Sequence, residues 1–221
     1  LPARAAVEIQ WWHAMAGELG RTLEKLAADF NDQQRDYKIV PVYKGQYTET
    51  MTAALFALRT GQNPAIVQVN EVATATMMAA RGAVYPVFEL MREQGAAFDP
   101  AAYLPAVAGY YTDVASNMLS FPFNASTPIL YYNKDQFRLA GLNADVPPKT
   151  WPEVEAMGRK LQAAGVPCGF TTHWPSWINV ENLSAIHNIP IATKQNGFAG
   201  LDTELVISNP LVTKHIATLA E

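Results

Sequence analysis

Two tryptophans, Trp174 and Trp177, stand on either side of Pro175-Ser176 and have a clear potential for ligand chemistry. They fall in a loop that we expect between a strand at residues 166–172 and a helix at residues 177–188. Aromatic faces suit both the C–H face of a polyol and a quaternary ammonium group. The pair is therefore interpreted either as a stacking wall for a ligand or as packing, with one ring in the core and the other covering the loop.

Polar side chains near the ends of predicted strands add to this pattern. Glu71 follows the end of the third predicted strand, Tyr47 ends the loop after the second, and Ser126 lies in a polar segment between two later strands. Small-molecule sites in open α/β sheets concentrate outside the carboxyl ends of the strands. Together these residues describe a cleft with hydroxyls, one carboxylate and aromatic walls. For Trp11-Trp12-His13, at the end of the first strand, core packing is the favoured interpretation.

The motifs that common catalytic sites require are missing from the sequence. It contains no P-loop, no Gly-x-Gly-x-x-Gly, no Gly-x-Ser-x-Gly and no His-Glu-x-x-His motif. Cys168 is the single cysteine, which excludes an intrachain disulfide, and the four histidines lack the i, i+4 spacing of a helical metal site. Acidic pairs such as Asp29 and Asp32 fit a solvated helix face. We therefore predict no catalytic residue, no metal and no cofactor.

The composition limits the function classes further. Hydrophobic residues make up 49% and charged residues 16% of the 221 residues, a balance that is typical of a packed chain and excludes general disorder. The net charge is −4 and the 16 Lys and Arg residues are scattered, which disfavours nucleic-acid binding. No apolar run reaches the roughly 18 residues that a membrane-spanning helix needs.

Strands alternate with helices in the first part of the chain. We predict strands at residues 7–12, 37–43 and 65–70, and helices at about 19–31, 48–60 and 71–80. This alternation indicates βαβ units and a mostly parallel sheet. Pro41 cannot donate a ladder hydrogen bond, so the second strand is expected at a sheet edge or at a bulge.

The second part of the chain is less regular. Strands are predicted at residues 118–123 and 129–133, on either side of a polar segment at 124–128 that is the best candidate for a crossover between two lobes. Thr150-Trp151-Pro152-Glu153 predicts a capping box, because the Thr hydroxyl and the Glu carboxylate can satisfy each other's backbone amides. Helices are expected at residues 134–140, about 151–164, 177–188 and 209–221.

Three segments, residues 123–135, Ala140-Gly141-Leu142 and residues 147–151, resemble the extracellular solute-binding proteins of ABC importers. A narrower similarity is to the receptors of this family for glycerol-3-phosphate and glycerophosphodiesters. It is carried by residues 12–20, 37–47, 68–79 and 109–111. The resemblance covers essentially the whole chain.

This resemblance implies a periplasmic-binding-protein-like α/β fold of type II with two lobes that close around a ligand. We place the first lobe at residues 1–125, and the crossover with the beginning of the second lobe at residues 126–221. Family members are about twice this length, so we expect the C-terminal half of the fold to be missing. The resemblance also implies an exported, periplasmic protein whose signal peptide has been removed.

The resemblance assigns roles to individual residues. Tyr47, Glu71 and Ser126 match ligand-contacting positions. Trp174 and Trp177 match a pair of tryptophans beside the ligand. Glu71 can accept hydrogen bonds from two glycerol hydroxyls, Tyr47 and Ser126 can donate to a phosphate, and the tryptophans can enclose a glycerol or choline group. The implied partners are glycerol-3-phosphate or a glycerophosphodiester such as glycerophosphocholine, and the membrane permease of an ABC importer.

Two alternatives stay open at this point. A sugar or oligosaccharide receptor of the same family would need planar polar side chains around several hydroxyls and no phosphate anchor. An enzyme acting on a glycerophosphodiester would need a metal cluster or a general base. The scattered histidines and the absent nucleophile count against the enzyme.

Overall fold

The computed structural model describes residues 5–70, 74, 76–77, 82–113, 115–200 and 202–220. The chain divides into two compact units, Leu1–Pro122 and Phe123–Glu221. The boundary that the sequence places after residue 125 stays a prediction.

The first unit contains a parallel three-stranded sheet. Its strands are β1 (Val7–His13), β2 (Tyr37–Tyr43) and β3 (Ile66–Val67), in the order β2-β1-β3. Pro41 lies opposite Trp11 on the edge strand β2, which confirms the edge position predicted from its missing N–H. The third strand is shorter than predicted, although the Gln68 amide still donates to the Trp12 carbonyl oxygen at 2.8 Å.

Helices connect the strands as the βαβ pattern predicts. Helix α1 (Gly17–Gln33) joins β1 to β2, and α2 (Tyr47–Thr60) joins β2 to β3. Gly61 ends α2 with a φ of +68°, a conformation that glycine adopts without strain. The predicted helix at residues 71–80 lies mostly outside the described residues. The rest of this unit has helices and 3₁₀ turns at Val87–Glu93 (α3), Pro100–Ala102, Pro105–Ala108 (α4) and Gly109–Tyr111.

The second unit is helical where it is regular. Helix α6 (Trp151–Ala163) begins with the predicted capping box: the Glu153 amide donates to Thr150 Oγ1 at 3.4 Å, and the Thr150 amide donates to the Glu153 carboxylate at 3.2 Å. A small core forms between Phe137, Leu161 and Val166. The other elements are α5 (Lys134–Leu139), a π-helix (Trp177–Asn182) that continues into α7 (Leu183–Ile186), a turn at Thr193–Asn196, and α8 (Pro210–Ala220).

Two backbones meet at a pair of glycines in this second unit. Gly158 on α6 and Gly169 in the segment after it are so close that a methyl group at Gly169 would overlap the Gly158 carbonyl. Helix and segment can therefore approach this closely only because residue 169 has no side chain, whereas a Cβ at Gly158 would stand 3.4 Å from the Gly169 carbonyl oxygen, an ordinary contact.

Three predicted strands are not formed. Residues 118–123 provide only an isolated bridge between Met118 and Thr112, and residues 129–133 and 166–172 belong to no ladder with any described residue. The apolar residues that suggested strands are partly exposed, with Ile129 at 65% and Tyr131 at 86%. A strand exists only through a partner, and the pattern of one segment does not supply that partner. Among the described helices, none has the length and apolarity to cross a bilayer.

Candidate functional site

The two tryptophans singled out by the sequence lie together in the structure. The ring centroids of Trp174 and Trp177 are 5.7 Å apart and the rings are nearly perpendicular, at 70°. The His173 ring also lies against Trp174, with ring centroids 5.6 Å apart and an interplanar angle of 30°. Trp174 is 38% exposed, so this aromatic group can offer a ring to a ligand.

The backbone around this pair is unusual on both sides. Trp174 has a φ of +47°, which is rare for a bulky residue and is found preferentially at functional sites. Trp177 begins the π-helix, a geometry that occurs frequently at functional sites. The sequence predicted an ordinary helix here. No residue pattern signalled either irregularity.

Buried polar groups support the π-helix. Asn179 is 1% exposed and donates its amide to Thr172 Oγ1 at 3.2 Å. Its carbonyl oxygen therefore faces His215, whose Nε2 lies 3.2 Å away and must carry the hydrogen. The His215 ring also packs edge-on against Trp151, with centroids 4.3 Å apart. Burial lowers the pKa of the His215 imidazole, so the ring favours its neutral form. Sequence reasoning missed this network.

Tyr47 is the first residue of α2 and is half-buried. The turn before it depends on Gly45, which has a φ of +91° and has Glu49 Cβ 2.8 Å from where its own Cβ would stand. A left-handed backbone and a crowded Cβ position both require glycine there. The turn thus fixes where the helix begins and where the tyrosine stands.

The other two predicted site residues are less well placed by the structure. Ser126 is exposed in an irregular segment of the second unit. Glu71 lies outside the described residues. The structure therefore brings Trp174 and Trp177 together, and it does not establish a common site for the five residues.

Two aromatic residues at the end of β1 are buried. Trp12 and His13 are 8% and 2% exposed, which confirms core packing for these two residues, and Lys44 Nζ lies 3.9 Å from the Trp12 ring centroid. His13 Nδ1 accepts a hydrogen bond from the Met15 amide at 3.3 Å. Burial lowers the pKa of the His13 imidazole. Nearby, Gln68 Oε1 accepts a hydrogen bond from the Ala14 amide at 3.0 Å, while its buried Nε2 has no hydrogen-bond acceptor among the residues that the structure describes.

No group of three or more possible metal ligands occurs among the described residues. An open cavity of about 470 Å³ in the second unit lies beside α6 and is lined by residues such as Tyr131, Met157 and Phe170. It contains none of the predicted site residues.

Curated relatives match almost the entire chain. The sn-glycerol-3-phosphate-binding periplasmic protein UgpB of Rhizobium meliloti is 48% identical over 220 residues, which is 99% of this chain and 51% of that protein. The protein of the same name from Yersinia enterocolitica is 51% identical, over 99% of this chain and 50% of its own length. The chain thus spans about half the length of the curated relatives it matches.

Solved structures agree on the fold. A substrate-binding protein of an ABC transporter from Listeria monocytogenes, in complex with cycloalternan, has a TM-score of 0.66 and 18% identity over 97% of this chain and 52% of its own. The cyclic alpha-maltosyl-1,6-maltose binding protein of Arthrobacter globiformis gives a TM-score of 0.64 at 18% identity, over 97% and 53% of the two chains. These similarities confirm the predicted α/β fold of type II.

The family model for bacterial extracellular solute-binding proteins matches residues 16–219. Apart from residues 12–15, this range includes the segments on which the sequence resemblance rests, together with the tryptophan pair and the residues Thr172, Asn179 and His215. The chain belongs to the bacterial extracellular solute-binding proteins.

Proposed function

We propose that this chain is part of a periplasmic receptor that binds sn-glycerol-3-phosphate or glycerophosphodiesters such as glycerophosphocholine and delivers them to the membrane permease of an ABC importer. The observation that carries the proposal is the 48–51% identity, across 99% of the chain, to proteins named for binding sn-glycerol-3-phosphate. The tryptophan pair, of which Trp174 is exposed and Trp177 half-buried, supports it, because an aromatic ring can pack against the C–H face of glycerol and against choline.

Five residues are proposed to bind the ligand. Trp174 and Trp177 would contact the glycerol or choline group. Glu71 would accept hydrogen bonds from glycerol hydroxyls, and Tyr47 and Ser126 would donate to the phosphate. Tyr47 begins a helix and is half-buried, and Ser126 is exposed.

We further propose that the receptor performs no chemistry on its ligand. Its relatives are named as binding proteins, and the acidic and histidine side chains of the described residues form no group that could hold a metal. Incubation with glycerophosphocholine tests this point. Released choline or glycerol-3-phosphate, above a sample without protein, would contradict it.

Calorimetric titration tests the binding function itself. Glycerol-3-phosphate and glycerophosphocholine are titrated separately into a receptor that contains this chain, with a maltose oligosaccharide as the comparison ligand. We expect binding of at least one phosphate-bearing ligand and none of the oligosaccharide. Binding of the oligosaccharide alone would replace this proposal with a sugar receptor.

A further inference from the structure

Two hydrogen bonds between side chains link three residues of the second unit. They run from Thr172 through Asn179 to His215, both at 3.2 Å. Asn179 is 1% and His215 6% exposed, so water cannot readily replace the contact between them, whereas Thr172 is exposed. His215 comes from α8, which packs against the π-helix. A helix distant in sequence thereby holds a side chain of the π-helix.

The same π-helix carries one member of the tryptophan pair. Trp177 is its first residue, and the Trp177 carbonyl oxygen accepts a hydrogen bond from the Asn182 side chain at 2.7 Å. The Ile178 amide donates to the carbonyl oxygen of Trp174 at 2.9 Å. Asn179 therefore lies two positions after Trp177 and directly after Ile178, whose amide binds the backbone of Trp174.

We propose that Asn179 and His215 are positioning residues that set the orientation of the Trp174–Trp177 pair and, through it, the preference for the ligand. The part concerning the ligand rests on the proposed function; the part concerning the rings does not. Neither residue needs to touch the ligand. His215 holds Asn179, and Asn179 holds the π-turn.

The physical reason lies in the geometry of the turn. A π-turn contains one more residue than an α-turn, and each residue of an α-helix advances it by about 100°. If the π-turn relaxes to an α-turn, Trp177 rotates relative to α7 by about that angle. Loss of the His215 donor leaves a buried carbonyl oxygen of Asn179 unsatisfied, which favours such a rearrangement.

The test compares three variants with a matched control. His215→Leu removes the donor, and His215→Gln restores an N–H at the position of Nε2. Thr172→Val removes the other contact of Asn179 from an exposed position, so this variant is expected to fold even if His215→Leu does not. Leu161→Ala, in the separate core of α5 and α6, matches a loss of stability without touching the network.

The first measurement is the circular dichroism of the coupled rings, identified as the part of the spectrum that Trp174→Phe removes. We expect His215→Leu and Thr172→Val to lose this signal, and His215→Gln and Leu161→Ala to keep it. The second measurement is affinity for glycerophosphocholine. This affinity should weaken by about two- to tenfold in His215→Leu and in Thr172→Val, which is the range expected for one lost hydrogen bond.

The outcomes separate the two proposals. An unchanged ring signal in Thr172→Val and His215→Leu overturns the positioning role. Failure of His215→Gln to restore the signal also overturns it, because packing against Trp151 would then be the function of His215. If the unmodified receptor binds neither phosphate-bearing ligand, the proposed function fails, while the ring signal still decides the orientation of the pair.

Discussion

Two aromatic groups in this protein contain tryptophan and histidine side by side, yet they differ in backbone conformation and in burial. Trp12 and His13 end a regular strand whose register is fixed on both sides, and both are nearly fully buried. Trp174 and Trp177 lie on an irregular backbone: Trp174 has a left-handed conformation and is 38% exposed, and Trp177 begins the π-helix. Composition alone therefore does not separate a structural aromatic group from a candidate binding group. Backbone regularity and burial do.

Trp12→Ala should have the largest effect on stability. Removal of a buried indole leaves a cavity, and we expect a loss of about 3–5 kcal/mol in the free energy of unfolding. Denaturant unfolding measures this loss. Trp174→Ala is the matched control, and its loss should be clearly smaller because the ring is 38% exposed. Equal losses for the two variants would abolish the distinction between the two groups.

Glu71→Ala sharpens the comparison from the side of the first unit. If the first unit binds the ligand through polar side chains and its aromatic residues only pack, Glu71→Ala should reduce ligand affinity and leave the free energy of unfolding unchanged. A charge-assisted hydrogen bond is worth about 1.5–3 kcal/mol, so glycerophosphodiester affinity should fall by at least about tenfold. Calorimetry measures the affinity. Wild-type affinity in a variant with an unchanged melting temperature would remove Glu71 from the site.

Trp174→Ala tests whether the Trp174–Trp177 pair recognises choline. A cation–π contact contributes about 0.5–2 kcal/mol, so glycerophosphocholine should lose up to about 30-fold in affinity while glycerol-3-phosphate loses less. Trp177→Ala is measured in parallel. A large loss of stability with equal effects on the two ligands would make the pair structural, like the group at the end of β1.

The smallest expected effect is a dependence of stability on pH that both regions share. Burial lowers the pKa of His13 and of His215 below the ordinary value of 6.5 that the unfolded chain retains. Below that pH the unfolded chain binds more protons, so stability falls as the pH decreases and is fully present above about 6.5. The melting temperature should thus be lower at pH 5 than at pH 8.

His13→Asn and His215→Gln provide the control for this pH dependence. Both replacements keep a polar group near the position that the hydrogen bond uses, and neither can be protonated in this range. The double variant should show a flatter profile between pH 5 and pH 8. The same slope in the double variant would assign the effect to other groups.

Local sequence patterns predicted the elements from β1 to α2 in the first unit and the start of α6 in the second. The alternation of β1, α1, β2 and α2, the edge position that follows from Pro41 and the capping box at Thr150 all depend on residues close together in the chain. The strands expected at residues 129–133 and 166–172 depend on partners, which a single segment does not encode.

The candidate site shows the same limit. The tryptophan pair was predictable because its members are three positions apart in sequence. The positive φ of Trp174 depends on the surrounding structure and has no residue signature such as glycine. The contact between Asn179 and His215 joins residues 36 positions apart, and the sequence around each residue contains no pattern that predicts this contact.

The contact between Gly158 and Gly169 limits how this sequence can drift during evolution. Each glycine faces the other's main chain, so a substitution at one cannot be compensated by a smaller side chain at the other. Gly169 is therefore closed to change, although it does not belong to the proposed site, whereas a methyl group at Gly158 would meet the Gly169 carbonyl oxygen only at 3.4 Å, an ordinary contact. In a library of random variants selected only for folding, we expect Gly169 to remain glycine, while Gly158 also accepts alanine and the exposed positions around them vary freely.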